Sequence, residues 1–221
     1  MMNYLNCEIV ESGGASPDAT FIWLHGLGAS GNDFVPVAEL LCKRISSSLR
    51  FVLPHANPIP VTLNGGMTMP AWYDILDMEH PRNINPNTLR ESLKEINQLI
   101  EREIKNGQSL NKIILAGFSQ GGAVCLELGL KDSKNLGGIL ALSTYLVSNE
   151  GLLEKKLPIF MAHGEYDLVI PPFVAEQSRD AIIGAGNDVD WSLLPIDHTV
   201  SDEEIELIAQ WVRSTILQVE N

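Results

Sequence analysis

One serine in this chain is set among glycines in a pattern with chemical meaning: Gly117–Phe118–Ser119–Gln120–Gly121, with Gly122 next. The preceding run Ile113–Ile114–Leu115 reads as a strand, and the apolar stretch that follows reads as a helix. A strand-to-helix turn of this kind lifts its serine out at the carboxyl edge of a sheet. The flanking residues must be small because backbone crowds them. The opening turn of the helix also leaves unpaired N–H groups aimed at the serine, where negative charge would develop. This is the chemistry of a nucleophile that attacks a carbonyl.

A serine hydroxyl needs a base, and the base needs an acid to orient it. Behind such a turn the expected order is serine, acid, histidine. Of His25, His55, His80, His163 and His198, only His198 follows Ser119 with room for an acid between them. It comes after "SLLPID" and before a capped helix, so it belongs to a loop beyond a strand. His163, inside "FMAHG", reads as structural. Asp167 stands three residues past the strand "PIFMAHG", at the sheet edge. Its competitors are Glu165, too close to the strand end, and Asp188 and Asp190, at the far end of the next strand. The oxyanion needs two N–H donors. Gln120 supplies one, and Leu27 in the glycine-bearing loop "LHGLGAS" (24–30) is the best placed for the other. His25 in that loop reads as a brace rather than a base.

The elements that must position these residues are legible as short apolar runs: 20–26, 50–55, 112–119, 137–143, 158–164 and 189–195. Little alternation within them fits strands buried on both faces. "YLNCEIVE" alternates better and reads as an edge strand. Leu89, Leu93, Ile96, Ile100 and Ile104 predict a helix, with Thr88 and Glu91 as its capping box. Ser201 and Glu204 make the same box for a last helix bearing Ile205, Ile208, Ala209, Val212 and Ile216. Alternating strand and helix implies a single domain over 1–221: a doubly wound, mostly parallel α/β sheet with helices on both faces. Residues 54–87, rich in Pro, Asn, Gly and Met, break the alternation, and loops of that length are usually functional.

Composition narrows the partners. A net charge of −13 and a pI near 4.7 argue against nucleic acid and against electrostatic docking on anionic lipid. Cys7, Cys42 and Cys125 are too sparse for a disulfide frame or zinc site. "MMNYLNCEIVESGG" lacks a leader pattern and no run reaches membrane-spanning length, so the expected location is cytoplasmic. No metal cluster or phosphate-cradling loop is visible, and the expectation is catalysis without a cofactor.

With these residues in hand, the chain resembles the acyl-protein thioesterase/carboxylesterase family of α/β-hydrolases. The resemblance rests on "LHGLGASGNDF", "LPHANPIPVTLNGGMTMPAWYDI", "ILAGFSQGGAVCL", "GGILALSTYL" and "HGEYDLVIP", and covers nearly the whole chain. It implies an α/β-hydrolase fold without a cap domain, and a serine hydrolase of carboxylic esters or thioesters acting on small-molecule or acylated-protein substrates. It places the nucleophile at Ser119, the acid at Asp167 and the base at His198, with Leu27 and Gln120 as oxyanion donors. The segment 58–73 resembles the family's substrate-side loop, making Met67, Met69 and Trp72 candidate walls for an acyl chain. Apolar residues of the 58–80 stretch leave two options open, a homodimer or transient membrane contact. The chain departs from the family in having Asp197 directly before His198, a carboxylate expected to raise the imidazole pKa if it faces the ring. A catalytically silent hydrolase fold used for binding is the alternative, and the completeness of the residue set weighs against it.

Overall fold

The structure is a computed structural model describing residues 4–14, 16–77, 79, 82–132 and 134–218. Seven strands form one sheet: β1 (Cys7–Ser12), β2 (Ala19–Leu24), β3 (Leu49–Pro54), β6 (Ile113–Phe118), β7 (Gly138–Leu142), β8 (Ile159–Gly164) and β9 (Asp190–Leu194). Their order is β1-β3-β2-β6-β7-β8-β9. All neighbours run parallel except β1, which pairs antiparallel with β3. This is the doubly wound arrangement of an α/β-hydrolase, with the alternating "CEIVES" at the half-buried edge.

Strand composition explains the two layers that cover the sheet. On β2, Phe21 and Trp23 face α1 (Val35–Arg44) and α5 (Asp202–Trp211), where Phe51, Leu41 and Ile208 complete an apolar layer. Ile22 and Leu24 face the other way, towards α2 (Pro86–Lys105), α3 (Gln120–Lys131) and α4 (Pro172–Gly184). Both faces of β2 are buried, so its sequence reads as a continuous apolar run. Strand order reverses between β2 and β6. Their carboxyl ends open the crevice in which such sheets bind ligands.

Three expectations need correction. The 54–87 stretch holds a small antiparallel hairpin, β4 (Pro58–Val61) with β5 (Met67–Pro70), turned at Gly65 and Gly66 with φ of 67° and 79°. Helix α2 is capped by Asn85, whose side chain accepts from Asn87 N at 3.0 Å. Pro86 is ready-shaped for the first helical position. Thr88 therefore lies inside the helix, donating to Asn85 O and accepting from Asp74 N. At α5 only half of the box forms. Ser201 Oγ accepts from Glu204 N at 3.1 Å, while the Glu204 carboxyl turns inward, fully buried and without a hydrogen bond among the described residues. Burial pushes that carboxyl up to about 8.

Candidate active site

The turn between β6 and α3 is shaped by what cannot fit. A Cβ on Gly121 would lie 2.3 Å from Leu24 O, and one on Gly117 2.5 Å from Gly121 C. Gly122 meets the Thr144 side chain at 2.8 Å in the same way. With β2, β6 and α3 packed this closely, Ser119 is held at φ 55°, ψ −120°, a conformation that side-chain-bearing residues rarely adopt. Ser119 N donates to Leu142 O at 2.9 Å, and Thr144 Oγ1 donates to Ser119 O at 2.6 Å. The strained residue is pinned from β7 and the segment after it.

Three loops at the carboxyl edge bring Ser119, His198 and Asp167 together. Ser119 Oγ lies 3.0 Å from His198 Nε2, and His198 Nδ1 lies 2.6 Å from Asp167 Oδ2. Asp167 is buried, and its Oδ1 accepts from the N–H groups of Val169 and Ile170, each at 2.8 Å. Burial alone would raise its pKa, but the hydrogen bonds from His198 and from these two amides outweigh it. They hold the carboxyl below its ordinary value. An ionised Asp167 fixes the proton on Nδ1 and leaves the Nε2 lone pair facing the serine hydroxyl. The ring of Phe118 packs on the imidazole at 4.7 Å between centroids. Such a relay can take a proton from Ser119 and return it to a leaving group. Asp197 is exposed, as are Glu165 and Asp188, and Asp190 at the far end of β9 accepts from Trp211 Nε1.

Leu27, Ser119 and Gln120 line one small pocket, and neither the Leu27 nor the Gln120 N–H donates to another described residue. Around Leu27 the loop is held by Gly28 N donating to Pro70 O at 2.8 Å. His25 braces it from below. Nδ1 donates to Gly26 O at 2.7 Å, Nε2 accepts from Ala56 N at 3.0 Å, and burial depresses its pKa. His55 accepts from Gly31 N, and His80 falls outside the described residues.

The expected acyl-chain walls lie elsewhere. Trp72 is buried with its indole N–H donating to His25 O at 2.8 Å, so it fastens the hairpin segment to the sheet. Met67 is exposed near the hairpin tip, and Met69 Sδ accepts from Asn64 Nδ2 at 3.3 Å. None of the three borders a cavity at Ser119. Two cavities do meet there. An open cleft of about 510 Å³ includes His198, Thr199, Val200, Phe34, Val37 and Asp33 in its walls. A smaller pocket of about 90 Å³ lies on the Gln120 side, walled by Leu63, Ile75, Arg82, Tyr145 and Ile170. Leu27 and Val169 border both. A larger polar depression, about 730 Å³, opens at the opposite edge of the sheet beside Lys112, Gly137 and Pro158.

Sequence reasoning missed several contacts of the site. The Gln120 side chain is buried, accepting from Trp72 N at 2.8 Å and donating to Tyr73 O at 2.7 Å. His163 Nε2 donates to Ile170 O at 2.8 Å and lies 3.3 Å from Asp167 Oδ2, so a second imidazole supports the loop carrying the acid. No local pattern signals either. Among the described residues no group of three or more His, Cys, Asp or Glu side chains is placed to hold a metal ion, and no helix is long and apolar enough to cross a membrane.

Comparison with known proteins gives a consistent picture. The family model described as phospholipase/carboxylesterase matches residues 5–216. An acyl-protein thioesterase 1 of Cryptococcus neoformans is 38% identical over 174 residues, 75% of this chain and 73% of the relative. That of Gibberella zeae is 34% identical over 213 residues, covering 90% and 91%. Among solved structures, Arabidopsis thaliana SOBER1 superposes with a TM-score of 0.81 at 27% identity, over 89% of this chain and 98% of that one.

Proposed function

The chain belongs to the phospholipase/carboxylesterase family, and from that premise we propose that it is a serine hydrolase working through an acyl-enzyme on Ser119. At the coarser level it is an ester or thioester hydrolase. The observation that carries the finer reading is the unbroken relay from Ser119 Oγ to His198 Nε2 at 3.0 Å and from His198 Nδ1 to Asp167 Oδ2 at 2.6 Å, set on a strained turn.

In this reading Ser119 Oγ attacks the substrate carbonyl as His198 Nε2 takes the hydroxyl proton. The negative oxygen of the tetrahedral intermediate is met by the N–H groups of Leu27 and Gln120. Collapse expels an alcohol or thiol, which receives the proton from Nε2 and leaves the acyl group esterified to Ser119. A water then attacks under the same base, and the acid product departs. Asp167 stays ionised throughout, holding the Nδ1 proton and stabilising the imidazolium. Substrates are small-molecule esters or thioesters, or acylated proteins as the names of the fungal relatives imply.

The test is turnover of p-nitrophenyl esters from acetate to palmitate by wild type and Ser119→Ala, with fluorophosphonate labelling. We expect turnover to fall at least about 10³-fold in the variant, with labelling confined to Ser119 in the wild type. An unlabelled Ser119 together with no turnover on any ester would overturn the reading.

A further inference from the structure

His198 is not the only imidazole that touches Asp167. His163 Nε2 lies 3.3 Å from Asp167 Oδ2, with both side chains fully buried. The mechanism proposed above, on which this inference rests, gives His163 no step, yet its surroundings fix its state. Ile170 O can only accept, so His163 Nε2, 2.8 Å away, carries a proton and donates it. Nδ1 is buried without a hydrogen-bond partner among the described residues. A second proton there would be an unmet donor in a dry place. Burial above all, and His198 beside it, push the His163 pKa down, against the pull of Ile170 O, of Asp167 and of Glu176 on α4. The ring is therefore neutral. Trp191 of β9 stands nearly parallel to it, 6.5 Å away between centroids.

The loop that carries the acid is held differently at its two ends. At its start Glu165 N donates to Leu194 O at 2.7 Å and Tyr166 N to Ile196 O at 2.9 Å, which ties it to the segment leading to His198. Gly164 lies so close to that segment that a Cβ would stand 2.4 Å from the carbonyl oxygens of Ile196 and Asp197. Past Asp167 the chain swings out, and Leu168 is 94% exposed. The amides of Val169 and Ile170 must still return to Asp167 Oδ1, where both donate at 2.8 Å. His163 meets both ends of this turn, Ile170 through its carbonyl and Asp167 through Oδ2. A neutral ring suits the place. Its N–H points a positive dipole end towards the carboxylate's surroundings, whereas a charged ring would compete for Asp167 with the imidazolium that forms on His198.

We propose that His163 is a positioning residue for the hydrolytic reaction: by holding Ile170 O it closes the 167–170 turn on Asp167, so that the carboxylate keeps the orientation and charge that His198 needs. His163 lines neither cavity at Ser119. It acts through Asp167 and not on the substrate.

The test is a double-mutant cycle on p-nitrophenyl butyrate, with the far-downfield proton resonance of the His198–Asp167 hydrogen bond read in the same variants. His163→Phe keeps a flat ring and removes the donor, while His163→Gln keeps an N–H near the place of Nε2. In His163→Phe we expect kcat to fall on the order of 10²-fold with KM unchanged, and the resonance to broaden or shift. His163→Gln should recover most of both. On an Asp167→Asn background His163→Phe should cost little more, because residues that act as a unit are not additive. A full additive loss overturns the proposal, as does an unchanged kcat or resonance in a folded His163→Phe, or a His163→Gln no better than it. If neither variant folds, nitrogen-15 spectra of the wild type decide: a neutral His163 protonated on Nε2 supports the proposal, and a charged ring or an Nδ1–H tautomer overturns it. An active wild type with additive losses would sink only this inference. An inactive wild type with Ser119 unlabelled by fluorophosphonate would sink the serine-hydrolase reading, while the resonance and the tautomer, read without substrate, would still decide whether His163 holds the acid.

Discussion

The β6–α3 turn and the hairpin segment that leans over it are held in opposite ways. The turn is fixed by backbone crowding: a Cβ on Gly117 would meet Gly121, one on Gly121 would meet Leu24 O of β2, and Ser119 takes φ 55° between them. The hairpin segment is fixed by side chains reaching across the molecule. Gln120 grips Trp72 and Tyr73 from 47 to 48 residues away, Trp72 reaches His25, and Tyr73 meets Tyr145. Steric exclusion leaves a mark on residue types at fixed offsets, whereas a long-range hydrogen bond leaves none. The contrast predicts that damage to the turn removes the chemistry, while damage to the grip loosens one wall and spares the relay.

The largest effect should come from breaking the relay without disturbing either region. Asp167→Asn keeps the size of the side chain but no longer fixes the Nδ1 proton. We expect kcat to fall on the order of 10³–10⁴-fold with little change in KM, measured on a p-nitrophenyl ester. The carboxyl sits below its ordinary pKa in the folded chain. Its contribution to stability is therefore present above the unfolded value and lost as pH falls through the folded one. Asp167→Asn should accordingly narrow the stability gap to wild type at acid pH, read by thermal unfolding.

Glu204 tests a place where local pattern misled. Ser201-x-x-Glu204 reads as a reciprocal cap, yet only the serine half forms, and the carboxyl is buried on α5 with no hydrogen bond among the described residues. Its pKa rises from 4.5 to about 8. The folded chain thus binds a proton that the unfolded chain has released, and stability falls as pH climbs from about 4.5 to 8. Glu204→Gln should be nearly neutral near pH 4. At pH 8 it should stabilise by a few kcal/mol, at most about 5 by the usual ~1.4 kcal/mol per unit. A gain of equal size at both pH values would contradict the buried, protonated carboxyl.

Gly121→Ala attacks the turn directly. The added methyl would sit 2.3 Å from Leu24 O, against backbone that cannot swing aside. We expect a loss of about 3 kcal/mol or more, which in a chain of this size lowers Tm by roughly 6–12 °C. Turnover should fall beyond what the remaining folded fraction explains. Normal stability in Gly121→Ala would show that the turn is less crowded than the contacts imply.

What the sequence made legible follows the same division. The strands of the sheet, the serine turn, His198 on its loop and Asp167 past β8 each depend on local composition or chain order. Helices α1 and α4 went unread because their periodicity is weak. The buried face of α4 is Val174, Ala175, Ser178 and Ile182, with a small and a polar residue interrupting the apolar stripe. The hairpin hid behind Pro, Asn and Gly, which signal a turn without saying that Pro58–Val61 pairs with Met67–Pro70. Trp72 and the two methionines read as substrate walls because large apolar residues in a loop look alike whether they face a ligand, the sheet or solvent. Arg82 and Tyr145, 63 residues apart in number, carried no shared signal at all.

The smallest effect sharpens the comparison most, because residue 120 belongs to both regions. Its backbone N–H faces the serine as a proposed oxyanion donor, and its side chain holds the hairpin segment. Gln120→Leu keeps the backbone N–H and removes the grip, leaving Trp72 N–H and Tyr73 C=O unpaired in a buried place. An unmet buried pair of this kind costs about 1–3 kcal/mol. Part of that cost should appear as local opening, as faster amide exchange at residues 71–75 than across β6 and β7. The relay from Ser119 to Asp167 runs through other loops, so labelling of Ser119 by a fluorophosphonate should persist while KM for acyl substrates rises. If kcat collapsed instead with KM unchanged, the side chain of Gln120 would be supporting the turn itself, and the division between a turn fixed by backbone crowding and a hairpin fixed by side chains would fail at the residue they share.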